Sequence, residues 1–288
     1  MIPTSFEYVR AESLKDALKA LDDGPGTKVI AGGHSLLPIM KFRLAQPTRL
    51  VDISRLEDLK GISEKGRGAR IGAGATYREL LESEILRERF PLIVEATETI
   101  GDLQVRNRGT IGGSLAHADP ASDMPAVMLV LDATFNLRSK SGKRSVKARE
   151  FFRGPFTTAL AEDELLTEII LPPVPAGSGS AYLSHDHPAS GYAIVAVAAL
   201  LTLKRKTISQ AVTALTGVGE TAFLVQSVAS LVGTKGEPEA ISQAAIAATA
   251  GVEVSGDTYA PANYRRHLAT VMTRRALATA LERAGRPA

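Results

Sequence analysis

Two glycine-rich segments, Ala31–Ser35 and Thr110–Ser114, stand far apart in this chain, and both contain hydroxyl side chains. Glycine lets the backbone come close to a ligand and adopt positive φ, and consecutive N–H groups can cradle a phosphate. The first segment also follows a short β-prone run, Thr27–Ile30. We expect both segments to be loops, each with its own set of free N–H donors. A glycine pair after a strand is more often a plain turn, so either segment alone leaves both interpretations open. Together they favour a ligand with a pyrophosphate, such as a dinucleotide.

The common nucleotide-binding fingerprints are absent from the sequence. Gly72-Ala73-Gly74 supplies the first two glycines of the G-x-G-x-x-G pattern, but Tyr77 stands where the third belongs. The phosphate-binding loop that ends in Gly-Lys followed by Ser or Thr is also missing. We therefore expect Gly72–Gly74 to be a turn at the end of a strand.

Apolar periodicity predicts helices and strands in alternation along the whole chain. Ser13 is expected to cap a helix that reaches Leu21, and Thr76 a helix over Tyr77–Leu86. Further helices are predicted at Ala126–Leu131, Glu239–Ala250 and Tyr264–Ala284. Strands are predicted at Thr27–Ile30, Leu50–Ile53, Ala69–Ala73, Thr134–Arg138, Arg144–Lys147, Glu168–Leu171, Tyr192–Leu203 and Ser209–Leu215. The fold class is therefore α+β.

A run of proline, glycine and serine, Pro172–Ser180, interrupts this pattern and is the clearest linker in the sequence. It predicts a boundary near residue 175. We expect two domains, residues 1–175 and 176–288.

The chain contains no cysteine, so it can form no disulfide and hold no iron–sulfur cluster through thiolates. If it moves single electrons, the metal centres must lie on another chain. A net charge of +3 with scattered basic residues gives no reason to expect nucleic-acid binding. The longest apolar run, Tyr192–Leu203, is too short to span a bilayer, and the N-terminus shows no signal-peptide pattern. We expect a cytoplasmic protein without a membrane span.

An acidic segment, Ala118–Asp123, follows the second glycine segment. Its carboxylates could accept hydrogen bonds from the sugar hydroxyls of a bound dinucleotide. Alternatively, Asp119 caps a turn before Pro120 and Asp123 caps a helix that begins near Pro125. The two interpretations can hold for the same residue, and both stay open.

The flanks of both glycine segments resemble the two FAD motifs of the medium subunit of molybdenum hydroxylases, a family that includes aerobic carbon monoxide dehydrogenase and the xanthine dehydrogenase group. The first motif corresponds to Ala31–Lys41 and the second, nearly unbroken, to Gln104–Asp123. The C-terminal Tyr264–Leu268 and Arg274–Leu277 are similar to the closing helix of that family. The resemblance covers essentially the whole chain.

This resemblance implies a vanillyl-alcohol-oxidase (PCMH)-type FAD-binding domain in two subdomains, about 1–55 and 56–175, followed by a small α+β C-terminal domain. It implies that the pyrophosphate is held by Ala31, Gly32, Gly33, His34 and Ser35 and by Thr110, Gly112, Gly113 and Ser114. Residues expected beside the cofactor are Lys28, Leu37, Gly109, Ala118 and Asp123, with Asp123 on the ribityl chain. Ile100 and Gly101 would approach the flavin ring, and Leu166 would lie near the adenine or the ring edge.

The sequence departs from the family pattern at two places. Ser114 replaces an asparagine that is common in the family. The basic-Gly-Asp-aromatic segment is replaced by His185–Tyr192, which keeps the aromatic residue as Tyr192 but has Gly191 where the acid is expected. Alternate residues of a strand share a face, so His185 and His187 could both reach a metal, but two ligands without a third make no site. No metal and no catalytic residue is predicted, and His34 and His117 are interpreted as residues near phosphate.

The family implies a flavin subunit that relays electrons. An iron–sulfur small subunit with two [2Fe-2S] clusters would deliver electrons to FAD in this chain, and FAD would reduce an external acceptor. A molybdopterin large subunit would oxidise the substrate, and the complex would be a dimer of heterotrimers, a heterohexamer. Two alternatives are a stand-alone flavin oxidase of the same fold and a scaffold subunit that has lost FAD.

Overall fold

The structure, a computed structural model, describes residues 2–22, 24 and 26–285. Its strands are β1 (Glu7–Arg10), β2 (Thr27–Ile30), β3 (Arg49–Asp52), β4 (Ile62–Lys65), β5 (Gly68–Gly72), β6 (Thr134–Arg138), β7 (Lys143–Lys147), β8 (Phe152–Gly154), β9 (Thr157–Thr158), β10 (Leu165–Leu171), β11 (Ser178–Asp186), β12 (Ala193–Lys204), β13 (Thr207–Thr216) and β14 (Phe223–Leu224). Its helices are α1 (Leu14–Asp22), α2 (Leu36–Lys41), α3 (Tyr77–Glu82), α4 (Glu84–Arg89), α5 (Pro91–Thr99), α6 (Leu103–Arg108), α7 (Ile111–His117), α8 (Asp123–Val130), α9 (Ala148–Phe151), α10 (Pro238–Ile246) and α11 (Ala262–Ala284). Two short 3-10 helices lie at Glu57–Leu59 and Gln226–Leu231.

The N-terminal sheet has three parallel strands in the order β1-β3-β2. Helix α1 packs on it with the stripe Leu14, Ala17, Leu18 and Leu21, as the sequence predicts. The Ser13 hydroxyl accepts a hydrogen bond of 3.1 Å from the Asp16 N–H, which confirms the cap. This sheet matters for the site because β2 ends at Ile30, directly before the first glycine segment.

The central sheet has five antiparallel strands in the order β4-β5-β10-β6-β7. Its apolar face and the helices α3, α5, α7 and α8 form the largest hydrophobic core, which includes Ile71, Phe90, Ile111 and Phe135. The predicted hairpin is β6 and β7, closed by a hydrogen bond from Ser139 N–H to Gly142 O of 2.9 Å. Gly72 ends β5, as expected. Only glycine fits there, because a methyl group would lie 2.3 Å from the Leu59 carbonyl oxygen.

The C-terminal sheet is antiparallel, in the order β11-β12-β13-β14. One face packs against α10 and α11 through a second core that includes Val197, Leu215 and Leu277. The other face lies against α5 and α8, and Tyr182, Ala198 and Ala214 belong to the large core on that side. The sheet is therefore buried on both faces, which explains why β12 is apolar along nearly its whole length.

Three predictions about this architecture are wrong. The helix expected over Tyr77–Leu86 is two helices, because the Ser83 hydroxyl accepts from Leu86 N–H and starts α4. The linker expected over Pro172–Ser180 ends earlier, since β11 already begins at Ser178. Small residues there allow close packing: a methyl group on Gly179 would lie 2.2 Å from the Ala280 carbonyl oxygen in α11. The third difference concerns Thr110–Ser114 and is described with the site.

Among the described residues, no helix is both long and apolar enough to cross a membrane.

Candidate cofactor site

The first glycine segment turns the chain from β2 into α2. Gly33 has a φ of +76°, a conformation that glycine adopts without strain. Within residues 2–22, 24 and 26–285, no acceptor receives a hydrogen bond from the N–H groups of Gly32, Gly33, His34 and Ser35. The His34 ring folds back, with Nδ1 2.9 Å from Gly32 O. Four consecutive donors without partners in a glycine turn fit the pyrophosphate of a dinucleotide.

At Gly32, the first glycine segment meets the two residues that directly precede the second, Arg108 and Gly109. A methyl group on Gly32 would lie 2.1 Å from the carbonyl oxygen of Arg108, so the two backbones are in direct contact there. Gly109, the next residue, packs on the ring of Tyr77, where a methyl group would lie 2.7 Å from Cε2. The absence of side chains at both positions brings residues from distant parts of the chain into one cradle.

The second glycine segment is not a loop but the start of α7, with Thr110 as the N-cap. The N–H groups of Ile111 to Ser114 already have acceptors, contrary to the prediction of a second set of free donors. Ile111 N–H donates to Ala75 O, Gly112 N–H to Ala73 O and Gly113 N–H to Thr110 Oγ1, at 3.0, 2.9 and 3.1 Å. Gly112 lets α7 lie against the end of β5, since a methyl group would be 2.5 Å from Ala73 Cβ. The segment offers a ligand its hydroxyls and the exposed edge at Gly113.

The acidic segment turns the chain from α7 into α8. Ala118 ends α7 in the left-handed conformation, with a φ of +50°, and its carbonyl accepts from Phe156 N–H at 3.0 Å. The Asp119 carboxylate accepts from Ala121 N–H at 2.9 Å, which confirms the turn-capping interpretation. Ser122, not Asp123, is the N-cap of α8, so Asp123 stands in the first turn with its carboxylate available to other partners.

Asp123 is held from the C-terminal sheet. The Tyr182 hydroxyl donates to Asp123 Oδ1 at 2.5 Å. Burial raises the pKa of Asp123 to about 7, assisted by the charges of Asp186 and Asp119, while the Tyr182 hydrogen bond acts in the opposite direction. Burial also raises the pKa of Tyr182, so the phenol stays a proton donor. The pair is part-buried and lies where α8 meets the C-terminal sheet.

Ser114 lies on the same side as this pair. Its hydroxyl is 2.7 Å from the hydroxyl of Ser122. Tyr77 is buried beneath it, and burial raises the pKa of the Tyr77 phenol while Ser114 acts to lower it. A hydroxyl at position 114 therefore joins the second glycine segment to the cap of α8.

Ile100 and Gly101 form the turn between α5 and α6. Gly101 has a φ of +52°, and a methyl group there would lie 2.8 Å from Val105. Arg106 holds the turn from within, since its Nη1 donates to the carbonyls of Glu98, Ile100 and Gly101 at 3.3, 3.1 and 3.2 Å. The Arg106 Nε is buried and has no partner among the described residues.

Tyr192 lies at the edge of the same cluster. Partial burial raises the pKa of its phenol, as do the charges of Asp119 and Asp123, whereas a hydrogen bond to Ser35 acts in the opposite direction. Tyr192 thus lies near both Ser35 and the acidic segment, and it remains about half exposed. Although Gly191 stands where the family has an acid, the aromatic side chain of Tyr192 still lies near the acidic segment.

Three histidines, His117, His185 and His187, have their rings in contact with aromatic side chains. The centroid of the His187 ring lies 4.3 Å from that of Tyr259, with the two rings tilted, and the His185 ring lies 6.5 Å from Tyr264. His117 ends α7 with its ring 5.1 Å from Phe156, and burial lowers its pKa. The part of the chain that the structure describes contains no group of three or more His, Cys, Asp or Glu side chains that could hold a metal ion.

Three further residues of the predicted site lie around the cradle at different depths. Leu37 is partly exposed in the first turn of α2, where its Cδ1 would be 3.0 Å from a methyl group on Gly33. Lys28 is exposed on β2. Leu166 is buried in the large core and pairs with Leu137 across the central sheet. Its position does not bring its side chain to the surface of the cradle.

Sequence reasoning missed Tyr77, Arg106 and Tyr182 as site residues. Arg106 stands inside the second motif, so the motif itself was a signal for it. Tyr77 was visible only as an interruption of the glycine pattern. Tyr182 carries no local signal, because its partner Asp123 is 59 positions away in the chain.

Comparison with known proteins identifies both halves of the chain. Residues 4–174 match the family described as "FAD binding domain in molybdopterin dehydrogenase", and residues 180–280 match "CO dehydrogenase flavoprotein C-terminal domain". The glyceraldehyde dehydrogenase medium chain of Sulfolobus acidocaldarius is 40% identical over 96% of this chain and 98% of the relative. The carbon monoxide dehydrogenase medium chain of Afipia carboxidovorans is 41% identical over 99% of both chains. In a solved structure of the carbon monoxide dehydrogenase of Hydrogenophaga pseudoflava, a chain superposes with a TM-score of 0.95 at 41% identity, covering 98% of this chain and 99% of that one.

Proposed function

Because the chain belongs to the family of FAD-binding medium subunits of molybdenum hydroxylases, an oxidoreductase family, we propose that it accepts electrons from an iron–sulfur subunit and passes them to an external acceptor. The observation that carries the proposal is the cradle at Gly32, which lies against the backbone of Arg108 and Gly109. Among the described residues, the N–H groups of Gly32, Gly33, His34 and Ser35 have no acceptor. FAD bound there would supply the one- and two-electron redox chemistry.

The protein's own contribution is binding and electrostatics. In the proposed site, the amides of Gly32, Gly33, His34 and Ser35 bind the pyrophosphate, and Thr110 and Ser114 add their hydroxyls. Asp123 binds the ribityl hydroxyls, held by Tyr182. Ile100 and Gly101 lie beside the flavin ring, in a turn fixed by Arg106, and Tyr192 lies on the other side of the cluster.

The partners in this proposal are an iron–sulfur small subunit with two [2Fe-2S] clusters and a molybdopterin large subunit, assembled as a dimer of heterotrimers. The complete lack of cysteine in this chain supports clusters on another chain. Relatives of nearly the same length are medium chains of dehydrogenases named for glyceraldehyde and for carbon monoxide. This supports a substrate site on another chain. The cytoplasm stays the predicted compartment, and cell fractionation tests it.

The proposed domain boundary stays near residue 175. It is supported by the irregular stretch between β10 and β11 and by the separate hydrophobic core around α10 and α11. Limited proteolysis of the full chain tests it, with cleavage expected between Leu171 and Ser178.

The function is tested by purifying the full chain and recording its absorbance spectrum. We expect a yellow protein with one FAD per chain that is reduced by dithionite but not by the substrates of molybdenum hydroxylases. Adding the copurified partner subunits and a substrate should then bleach the flavin. A chain that takes up no FAD would contradict the proposal, and a chain that oxidises a substrate alone would instead support a stand-alone oxidase.

A further inference from the structure

The C-terminal sheet holds the backbone of the acidic segment at the end of β13. The Thr216 hydroxyl lies 2.9 Å from Pro120 O and 2.8 Å from Ser122 O. The N–H of Gly217 donates to the same Pro120 carbonyl at 2.8 Å. Thr216 is fully buried, so no water competes for these bonds. Two residues of one sheet thus fix two carbonyls of a segment that belongs to the cofactor cradle.

The turn that carries these donors is itself rigidly held. Gly217 has a φ of +78°, and a methyl group there would lie 2.6 Å from Ile194 O. Arg265, at the start of α11, donates through Nη1 to the carbonyls of Ile194 and Gly217 and pairs through Nη2 with Asp257 at 2.5 Å. Its side chain is only 12% exposed. The arginine of the C-terminal motif therefore supports the turn from behind.

The clamped backbone lies between two groups of the proposed site. Ser122 contacts Ser114 through a pair of hydroxyls 2.7 Å apart, and it is the N-cap of α8, whose first residue is Asp123. A shift of the Ser122 backbone would move both of these contacts at once. The Tyr182 hydroxyl approaches Asp123 from β11 of the same sheet.

We propose that Thr216 and Gly217, supported by Arg265, are positioning residues for FAD, which makes the C-terminal sheet a working part of the cofactor site. The inference rests on the proposed function, because it concerns FAD bound in the cradle of Gly32. Thr216 itself touches only the protein: it keeps Ser122 and Asp123 where Ser114 and the ribityl chain meet them.

The test compares two buried threonines of β13. Thr216→Val removes the hydroxyl at constant shape, and Thr213→Val is the matched control. Thr213 is equally buried, and its Oγ1 has no hydrogen-bond partner among the described residues. Thr216→Ser restores the hydroxyl. The full chain, freed of FAD, is titrated with FAD while flavin fluorescence gives the Kd, and the melting midpoint of the FAD-free chain is measured alongside.

We expect Thr216→Val to raise the Kd for FAD about tenfold, the effect of one lost buried hydrogen bond. Thr213→Val and Thr216→Ser should stay within about twofold of the wild type, since the bond is unaffected or restored. An unchanged Kd in Thr216→Val, or an equal rise in both valine variants, would overturn the inference. A wild-type chain that binds no FAD would instead refute the proposed function.

If Thr216→Val does not fold, hydrogen exchange on the wild type decides. The Gly217 amide, bound to Pro120 O, should exchange more slowly when FAD is added, whereas amides of β4 at the far edge of the central sheet should not change. Equal exchange of the Gly217 amide with and without FAD would contradict a positioning role.

Discussion

The hydroxyl of Tyr182 donates a hydrogen bond of 2.5 Å to the carboxylate of Asp123 and thereby joins β11 to the first turn of α8. Tyr182 is buried and Asp123 is part-buried, where the C-terminal sheet meets the helices of the FAD-binding region. A bond of this kind contributes most where water cannot replace it.

Tyr182→Phe removes this bond and leaves the ring. We expect the free energy of unfolding to fall by about 1.5 kcal/mol, because a buried carboxylate loses its donor. Urea denaturation of the FAD-free chain measures it. Tyr8→Phe is the matched control, since the Tyr8 hydroxyl donates to Asp52 at the same 2.5 Å but on the surface. An equal loss in both variants would contradict a special role of burial.

Asp123 should make stability depend on pH. Burial raises its pKa from 3.8 to about 7, so between about pH 4 and pH 7 the folded chain keeps a proton that the unfolded chain has lost. Stability therefore falls as the pH rises through this window and is level above it. Asp123→Asn has no proton to lose and should gain about 2 kcal/mol on the wild type between pH 4 and pH 8, a value reduced for partial solvent screening.

Melting curves from pH 4 to pH 8 check this expectation. The surface variant Asp58→Asn, in the first 3-10 helix, serves as the control and should run parallel to the wild type. If the melting midpoints of Asp123→Asn and the wild type changed equally with pH, Asp123 would be ionised in the folded chain from pH 4 to pH 8, which would contradict the expectation.

Gly32→Ala should push the first glycine segment away from the backbone of Arg108 and Gly109. The added methyl group would lie 2.1 Å from the Arg108 carbonyl oxygen, and backbone cannot move away as a flexible side chain can. We expect FAD binding to weaken at least about tenfold and the free energy of unfolding to fall by about 2 kcal/mol. Gly142→Ala, in the turn between β6 and β7, is the control, because nothing lies within 4 Å of its methyl group. Normal FAD titration of Gly32→Ala would disprove the contact.

Glu95 ties three elements together across the interior. Its carboxylate accepts from Arg283 Nη1 in α11 at 2.5 Å and from Tyr182 N–H in β11 at 2.9 Å. Glu95→Gln weakens both contacts, and we expect a loss of about 1.5 kcal/mol in unfolding free energy. Glu82→Gln breaks an exposed pair with Arg78 instead and should cost at most about 0.5 kcal/mol. Equal losses of unfolding free energy in the two variants would show that the contacts of Glu95 contribute no more than an exposed ion pair.

The local sequence pattern correctly predicted the helices and strands whose apolar residues recur with a regular period. The stripe from Leu14 to Leu21, the long helix that begins near Tyr264 and the apolar strand after Tyr192 all stand close to the predicted bounds. The C-terminal sheet is covered on both faces, so its central strand reads as an unbroken apolar run. Such features need no knowledge of the rest of the fold.

The errors arise where tertiary contacts decide. Ser178–Ser180 has the composition of a linker, but small residues are what lets α11 pack on β11 at Gly179. Thr110–Ser114 has the composition of a loop, but Gly112 lets a helix lie against Ala73. In both cases glycine allows close packing rather than flexibility, and sequence alone does not separate the two uses.

The site shows the same division. Glycine segments with specific flanks predicted the residues around Gly32 and Gly113 as binding residues, whereas Tyr182 and Thr216 lie in strands that contain no motif. Their role depends on the docking of the C-terminal sheet against Asp123 and Pro120, which is a property of the complete fold.

The clamp at Pro120 has a consequence for protein synthesis. A ribosome that has translated as far as β10 has already made both glycine segments, Asp123 and the whole central sheet, but not the donors at Thr216 and Gly217. The support from Arg265 is made later still. Under the proposed positioning role, a growing chain that has folded only its first half should bind FAD more weakly than the complete chain, and tight binding should begin only after β13 has been made.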